Sequence, residues 1–206
     1  AAFGDAEVSY VASADAGEAA KAAKAADVAI VVVATTSCEG SDRPTLALDP
    51  ADDALVEAVV DAQPRTVAAV VSPGAVLLPW KDKVPAILAS FMPGEQAGNA
   101  LADILSGKTN PSARLPVTFA NHDNEVGFTP EMFPGVQGPG GFRVSTYEEK
   151  LLIGYRWYTG RKMIPAFAFG HGLSYTAFEY GALKAAVDPS SETALVTATF
   201  LITNTG

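Results

Sequence analysis

Along the chain, hydrophobic and polar positions follow two rhythms, a period near two and a period near 3.6, and their alternation marks out strands and helices. Val8 to Val11 alternate apolar and polar, which predicts a short strand. Asp15 to Ala26 is rich in Ala, Glu and Lys and reads as a helix capped by Asp15 or Ser13. Val28 to Ala34 is a continuous apolar, β-branched run, the pattern of a central parallel strand covered on both faces. Asp49-Pro50 supplies a cap and a first helical proline, after which Leu55, Val56, Val59 and Val60 form one apolar face of a helix over Ala51 to Ala62.

The same alternation continues. Thr66 to Val71 and Ala86 to Phe91 are strand-like runs that end at Ser72-Pro73-Gly74 and Pro93-Gly94. Glu95 to Leu105 carries Ala97, Ala100, Leu101, Ile104 and Leu105 on one helical face, with Gly107 where a left-handed cap belongs. The series implies an α/β fold, a doubly wound three-layer αβα sandwich with a mostly parallel sheet of roughly five or six strands. Arg114 to Phe119 is a further strand candidate, whereas Ala120 to Lys150 loses periodicity and reads as a long loop anchored by Phe133, Phe142 and Tyr147.

Beyond that loop, Leu151 to Tyr158 and Ala166 to Gly170 are short and aromatic-rich, with Trp157 in a strand-like segment. Ala177 to Val187 and Ala194 to Ile202 read as successive β segments, so the architecture changes near Ser174. The expected division is 1–173 for the α/β sandwich, with part of its N-terminal side expected to lie outside this sequence, and 174–206 for the first strands of a β-sandwich. Those last residues are too few for a whole sandwich of roughly 100 residues, so the chain is expected to stop inside that domain.

Composition narrows the function. The chain has 206 residues, 49% of them hydrophobic, enough for a real core. A net charge of −9 and the absence of a basic run argue against nucleic acid and against anionic membranes. No stretch approaches the roughly 18 apolar residues of a spanning helix, so membrane insertion is not expected. The N-terminal residues lack the basic and apolar regions of a signal peptide. Cys38 is the only cysteine, which excludes an intrachain disulfide and a cysteine zinc site. The two histidines, His122 and His171, are far apart, and neither a metal nor a cofactor is expected.

The candidate chemistry lies in Thr35-Thr36-Ser37-Cys38-Glu39-Gly40-Ser41-Asp42-Arg43, a polar loop after the apolar strand, where open α/β sheets carry their sites. Glu39 has two readings. In one, Arg43 pairs with Asp42 or Glu39 and merely pins the loop. In the other, Glu39 is a general acid/base, Gly40 allows a bend, and Asp42 with Arg43 anchors the loop that aims it. Cys38 reads as a buried or half-buried thiol, because no helix follows it closely enough for a nucleophile elbow. A thiol enzyme with His171 as base is the remaining alternative. Trp80 and Trp157 read as core packing, His171 as structural, and Gly138-Pro139-Gly140-Gly141 as a turn.

Five blocks in order resemble glycoside hydrolase family 3. They are Glu39-Gly40-Ser41-Asp42-Arg43, Pro93-Gly94-Glu95-Gln96-Ala97-Gly98-Asn99-Ala100, Asn110-Pro111-Ser112-Ala113-Arg114-Leu115-Pro116-Val117-Thr118-Phe119, Gly154-Tyr155-Arg156-Trp157-Tyr158 and Phe169-Gly170-His171-Gly172-Leu173-Ser174-Tyr175-Thr176. The resemblance implies the C-terminal α/β sandwich domain of a β-glucosidase-like enzyme and the start of a fibronectin type III-like domain. It further implies that Glu39 is the catalytic acid/base and that the nucleophilic aspartate lies on a (β/α)8 barrel absent from these residues, on another chain or an N-terminal portion of a precursor. Retaining hydrolysis needs both carboxyls, one protonating the leaving oxygen and the other forming the glycosyl-enzyme.

The implied substrate is a carbohydrate with a terminal β-linked sugar, and the implied compartment is secreted or periplasmic, with the cytoplasm as the alternative. A non-catalytic role, packing on the barrel and shaping outer subsites, is the alternative. Two departures from the family pattern stand out: Glu148-Glu149-Lys150 replaces the usual Glu-Gly, and Ala97 and Ala113 stand where glycine is common.

Overall fold

The computed structural model describes residues 4–190, 192–193 and 195–206. Helix α1 (Ala16–Ala25) starts where the sequence caps it: the Asp15 carboxylate accepts the Glu18 amide at 2.8 Å. Strand β1 (Ala29–Ala34) follows, then helix α2 (Pro50–Ala62), whose Asp49 cap accepts the Ala51 amide at 2.8 Å with Pro50 in the first turn. Strands β2 (Thr66–Val71) and β3 (Ala86–Phe91) have the boundaries expected of them.

The three strands pair in parallel in the order β1-β2-β3, with Val31 opposite Ala68 and Val33 opposite Val70. One face of this sheet is the core. Helices α1 and α2 pack on each other there, and Val56, Val59 and Val60 of α2 are buried with Val31, Val33, Ala68 and Val70. Trp80 is fully buried in this cluster, and its indole N–H donates to the Asp53 carboxylate of α2 at 2.8 Å. Burial, the larger effect, and the neighbouring acids hold Asp53 above the usual carboxylate range, against the pull of that hydrogen bond.

The opposite face differs from expectation. Ile30 and Val32 are 45% and 53% exposed, so β1 is covered on one face rather than two. The described elements put α1 and α2 on the same side, leaving only helix α3 (Ala97–Leu105) for the other. That helix has no buried residue and merely borders a groove lined by Val32, Ala69, Val71, Pro93 and Leu101. The architecture among the described residues is therefore a small three-stranded parallel sheet with short antiparallel hairpins, not a sheet of five or six strands.

Two expected strands are missing for physical reasons. Val8 and Tyr10 are 73% and 88% exposed and pair with no strand among the described residues, and a short alternating run cannot hold as a strand without a neighbour. In 114–119, Pro116 removes a donor, so the segment makes paired bonds only at its ends. Leu115 and Phe119 exchange backbone hydrogen bonds with the chain from Phe167 to His171, at 2.8 to 3.2 Å, and Phe119 is buried at the junction.

The long loop stays irregular apart from a two-residue ladder, β4 (Val136–Gln137) against β5 (Arg143–Val144), closed by the turn at Pro139–Gly141. Tyr155–Arg161 is a helix, α4, where the aromatic run suggested a strand. Seven residues are too few for a 3.6 period to declare itself, but Trp157 and Arg161 sit one turn apart with the guanidinium 4.8 Å from the ring centroid. Trp157 also meets Phe128 edge-on, as a packing residue. Finally β6 (Phe178–Val187) and β7 (Val196–Asn204) form an antiparallel hairpin exposed on every residue. The expected start of its second strand, Ala194, lies outside the described residues.

Lys150 carries a testable strain. Its φ is +53°, a left-handed conformation that costs an L-residue about 1–2 kcal/mol. Lys150→Gly should raise stability by about 0.5 to 1 kcal/mol after the entropy cost of glycine, measured as an increase in the urea midpoint. An unchanged or lower midpoint would mean that the lysine is not strained.

Candidate active site

The candidate loop leaves the sheet at the carboxyl end of β1, where the Thr35 amide donates to the Val71 carbonyl of β2 at 2.9 Å. Because the three strands are parallel, all their carboxyl ends share this edge of the sheet. Four residues on, Cys38 and Ser41 close on each other as an antiparallel bridge, leaving Glu39-Gly40 as a two-residue turn. The turn requires the glycine: Gly40 has φ +78°, a conformation that costs a residue with a Cβ. Glu39 is thus presented at the tip of a closed turn, and its side chain is exposed to solvent.

Other candidates fall as follows. Asp42 is exposed beside the turn, and among the described residues Arg43 makes no ion pair with Asp42 or Glu39. Arg43 instead turns along the chain and donates from Nη2 to the Ala47 carbonyl at 2.9 Å. Cys38 is exposed rather than buried. His171 packs its ring against Phe167 at 5.2 Å, and its carbonyl accepts the Leu115 amide. Among the described residues no group of His, Cys, Asp or Glu could hold a metal ion, and no helix is long and apolar enough to cross a membrane.

Sequence reasoning missed what lies under the loop. Asp123, from the long irregular segment, accepts the Leu46 amide at 2.8 Å with one carboxylate oxygen and the Thr45 hydroxyl with the other. The Thr45 hydroxyl bond, then the Leu46 amide and the nearby Arg43 charge, hold Asp123 below the usual carboxylate range. Two residues on, Glu125 accepts from the Asn121 side chain at 2.7 Å and from the Tyr158 hydroxyl at 2.9 Å. Burial pushes Glu125 up, but these bonds and the Asn121 amide outweigh it and hold the carboxyl low. Burial and the adjacent carboxylate raise the Tyr158 phenol well above its ordinary value. The available signal was the polar run Asn121-His122-Asp123-Asn124, separated by one residue from buried Phe119, residue types that organise irregular backbone through their side chains.

A parallel sheet, a carboxyl on a closed turn at its carboxyl-end edge and a bracing second loop describe an α/β domain with an exposed acidic turn at the edge where such sheets carry their sites. The match to the glycosyl hydrolase family 3 C-terminal domain covers residues 5–175, and the chain belongs to that family. Its relatives include a β-glucosidase of Bacteroides ovatus, 40% identical over 69% of this chain but 19% of the relative. A probable β-glucosidase J of Emericella nidulans is 42% identical over 71% of this chain and 16% of the relative. The solved β-glucosidase of Streptomyces venezuelae in complex with D-glucose superposes with a TM-score of 0.83 at 36% identity, covering 93% of this chain and 24% of that one. β-Glucosidase 3B of Thermotoga neapolitana in complex with glucose gives 0.79 at 32% identity, covering 93% of this chain and 27% of that one. The chain therefore spans about a fifth of the length of the curated relatives it matches.

Proposed function

We propose that this chain contributes the acid/base carboxyl, Glu39, of a retaining exo-acting β-glycosidase that hydrolyses terminal β-linked sugars. The nucleophilic aspartate comes from a (β/α)8 barrel in the N-terminal part of the same enzyme, continuous with this chain or separate from it. The observation that carries the reading is the presentation of Glu39, exposed on a backbone-closed turn at the carboxyl end of a parallel sheet. A carboxyl so presented can enter a cleft made with a second domain, as a reaction with two carboxyls roughly 5 to 5.5 Å apart demands. The β-glucosidase relatives and the glucose held by two of the solved ones favour a glucoside-like substrate.

The fold of the whole domain belongs to the same proposal. The β1 edge, unpaired among the described residues, and the uncovered Ile30 and Val32 fit a sheet completed to roughly five or six strands, with a third layer, by the rest of the protein. The exposed β6–β7 hairpin fits the first strands of a fibronectin type III-like sandwich beginning near Ser174. The test of function is substitution of Glu39 in the complete enzyme. On glucosides with poor leaving groups kcat/KM should fall strongly while on activated ones it changes little, and an equal change on both would sink the reading.

A further inference from the structure

We propose that Asp123 is a positioning residue for the acid/base loop, holding its descending limb in register so that Glu39 meets the glycosidic oxygen. The inference rests on the acid/base reading of Glu39 and adds a residue from a part of the chain nearly eighty positions away.

The loop has two limbs. The ascending limb is fixed by the Thr35 bond to Val71 and by the Cys38–Ser41 bridge. The descending limb runs from Asp42 to the buried Leu48 and has no strand or helix of its own. It is held by local bonds, the Arg43 guanidinium to the Ala47 carbonyl at 2.9 Å and the Ala47 amide to the Thr45 hydroxyl at 3.0 Å. It is also held by the Leu77 amide on the Leu46 carbonyl at 3.0 Å. Asp123 is the carboxylate that ties this limb to the far side of the site, one oxygen on the Leu46 amide and the other on the Thr45 hydroxyl.

The far side is itself braced. The Asn121 side chain donates to Glu125 at 2.7 Å and to the Ile164 carbonyl at 3.0 Å, and Tyr158 of α4 donates to Glu125. Phe119, buried two residues earlier, is bonded through its backbone to Phe167. Asp123 thus transmits the position of the core to Thr45 and Leu46, six and seven residues along the backbone from Glu39, which suits a bracket and not a reacting group. An ionised carboxylate accepting two hydrogen bonds beside Arg43 is also a stronger bracket than a neutral amide would be. A shift of about 1 Å in a catalytic group can cost up to about a hundred-fold in rate, so a bracket at this distance has kinetic consequences.

The test uses the complete enzyme and four variants, Asp123→Asn, Thr45→Val, Thr45→Ser and Glu39→Ala, with kcat/KM measured on glucosides of poor and of activated leaving groups. Asp123→Asn and Thr45→Val should each lower kcat/KM about ten-fold on poor leaving groups and less than about two-fold on dinitrophenyl glucoside, because only the former need a well-aimed acid. Thr45→Ser, which keeps the hydroxyl, should retain most of the rate. Equal losses on both substrates, or a lowered melting temperature with an unchanged leaving-group dependence, would reduce Asp123 to a structural residue and overturn the inference. Thr45→Val and Thr45→Ser carry the comparison if Asp123→Asn does not fold. Glu39→Ala separates the two ideas: selective loss in that variant without it in the others overturns this inference alone, and no selective loss in Glu39→Ala overturns both.

Discussion

Glu39→Ala in the complete enzyme should lower kcat/KM on cellobiose-like substrates by roughly 10²- to 10⁴-fold, the usual contribution of a positioned general acid. A poor leaving alkoxide departs only as it is protonated, so removing the proton donor falls fully on that step. Dinitrophenolate needs no proton, and kcat/KM on its glucoside should change little. For that substrate kcat should still fall, because water attacking the glycosyl-enzyme has lost its base. Azide, a nucleophile that requires no deprotonation, should then restore part of kcat and yield the β-glycosyl azide. Retention of wild-type kinetics on the poor leaving group would show that the acid comes from elsewhere and that this domain only shapes the site.

Trp80→Ala should be the most destabilising single change in the core, by about 3 to 5 kcal/mol. The side chain is fully buried among the apolar residues under α2, so truncation leaves a large cavity, and it also deprives the Asp53 carboxylate of its indole donor. Domains are stable by only about 5 to 15 kcal/mol, so such a loss should be visible as a large drop in the denaturant midpoint. Trp80→Phe separates the two contributions. It keeps most of the volume and removes the N–H, and should cost about 1 to 3 kcal/mol from the unsatisfied acceptor. A midpoint for Trp80→Ala within about 1 kcal/mol of the parent protein would contradict the burial described.

The parts of this fold that were legible are those in which local signals agreed. At Asp49-Pro50 a cap, a helix-starting proline and an apolar face all point to one helix, and β2 and β3 are apolar runs ended by Pro-Gly turns. The failures came where an element depends on something local pattern does not hold. Val8 to Val11 has the rhythm of a strand but no partner among the described residues, and the continuous apolar run at β1 does not itself supply the second layer that would cover Ile30. Tyr155–Arg161 is a helix shorter than the window in which a period can be recognised.

The candidate site divided in the same way. The position of Glu39 after a strand, with a glycine next to it, could be read because a turn with φ above zero leaves a residue-type signature. The bracket from Asp123 to Thr45 and Leu46 could not, since it joins two irregular segments whose proximity is decided by how Phe119 packs in the core. Arg43 was expected to seek an acid and found a carbonyl, because its own limb curls back within its reach.

The free edge of β1 has a consequence for handling the protein. Ala29–Ala34 is six residues with no charge, no proline and four β-branched side chains, and its outward backbone groups pair with no other strand among the described residues. Natural sheets protect such an edge with a lysine, a bulge or a covering segment, and none of these occurs in the strand itself. Wherever this edge is left uncovered, the chain presents a ready template for strand addition, and the segment that makes the sheet's core would also nucleate its aggregation.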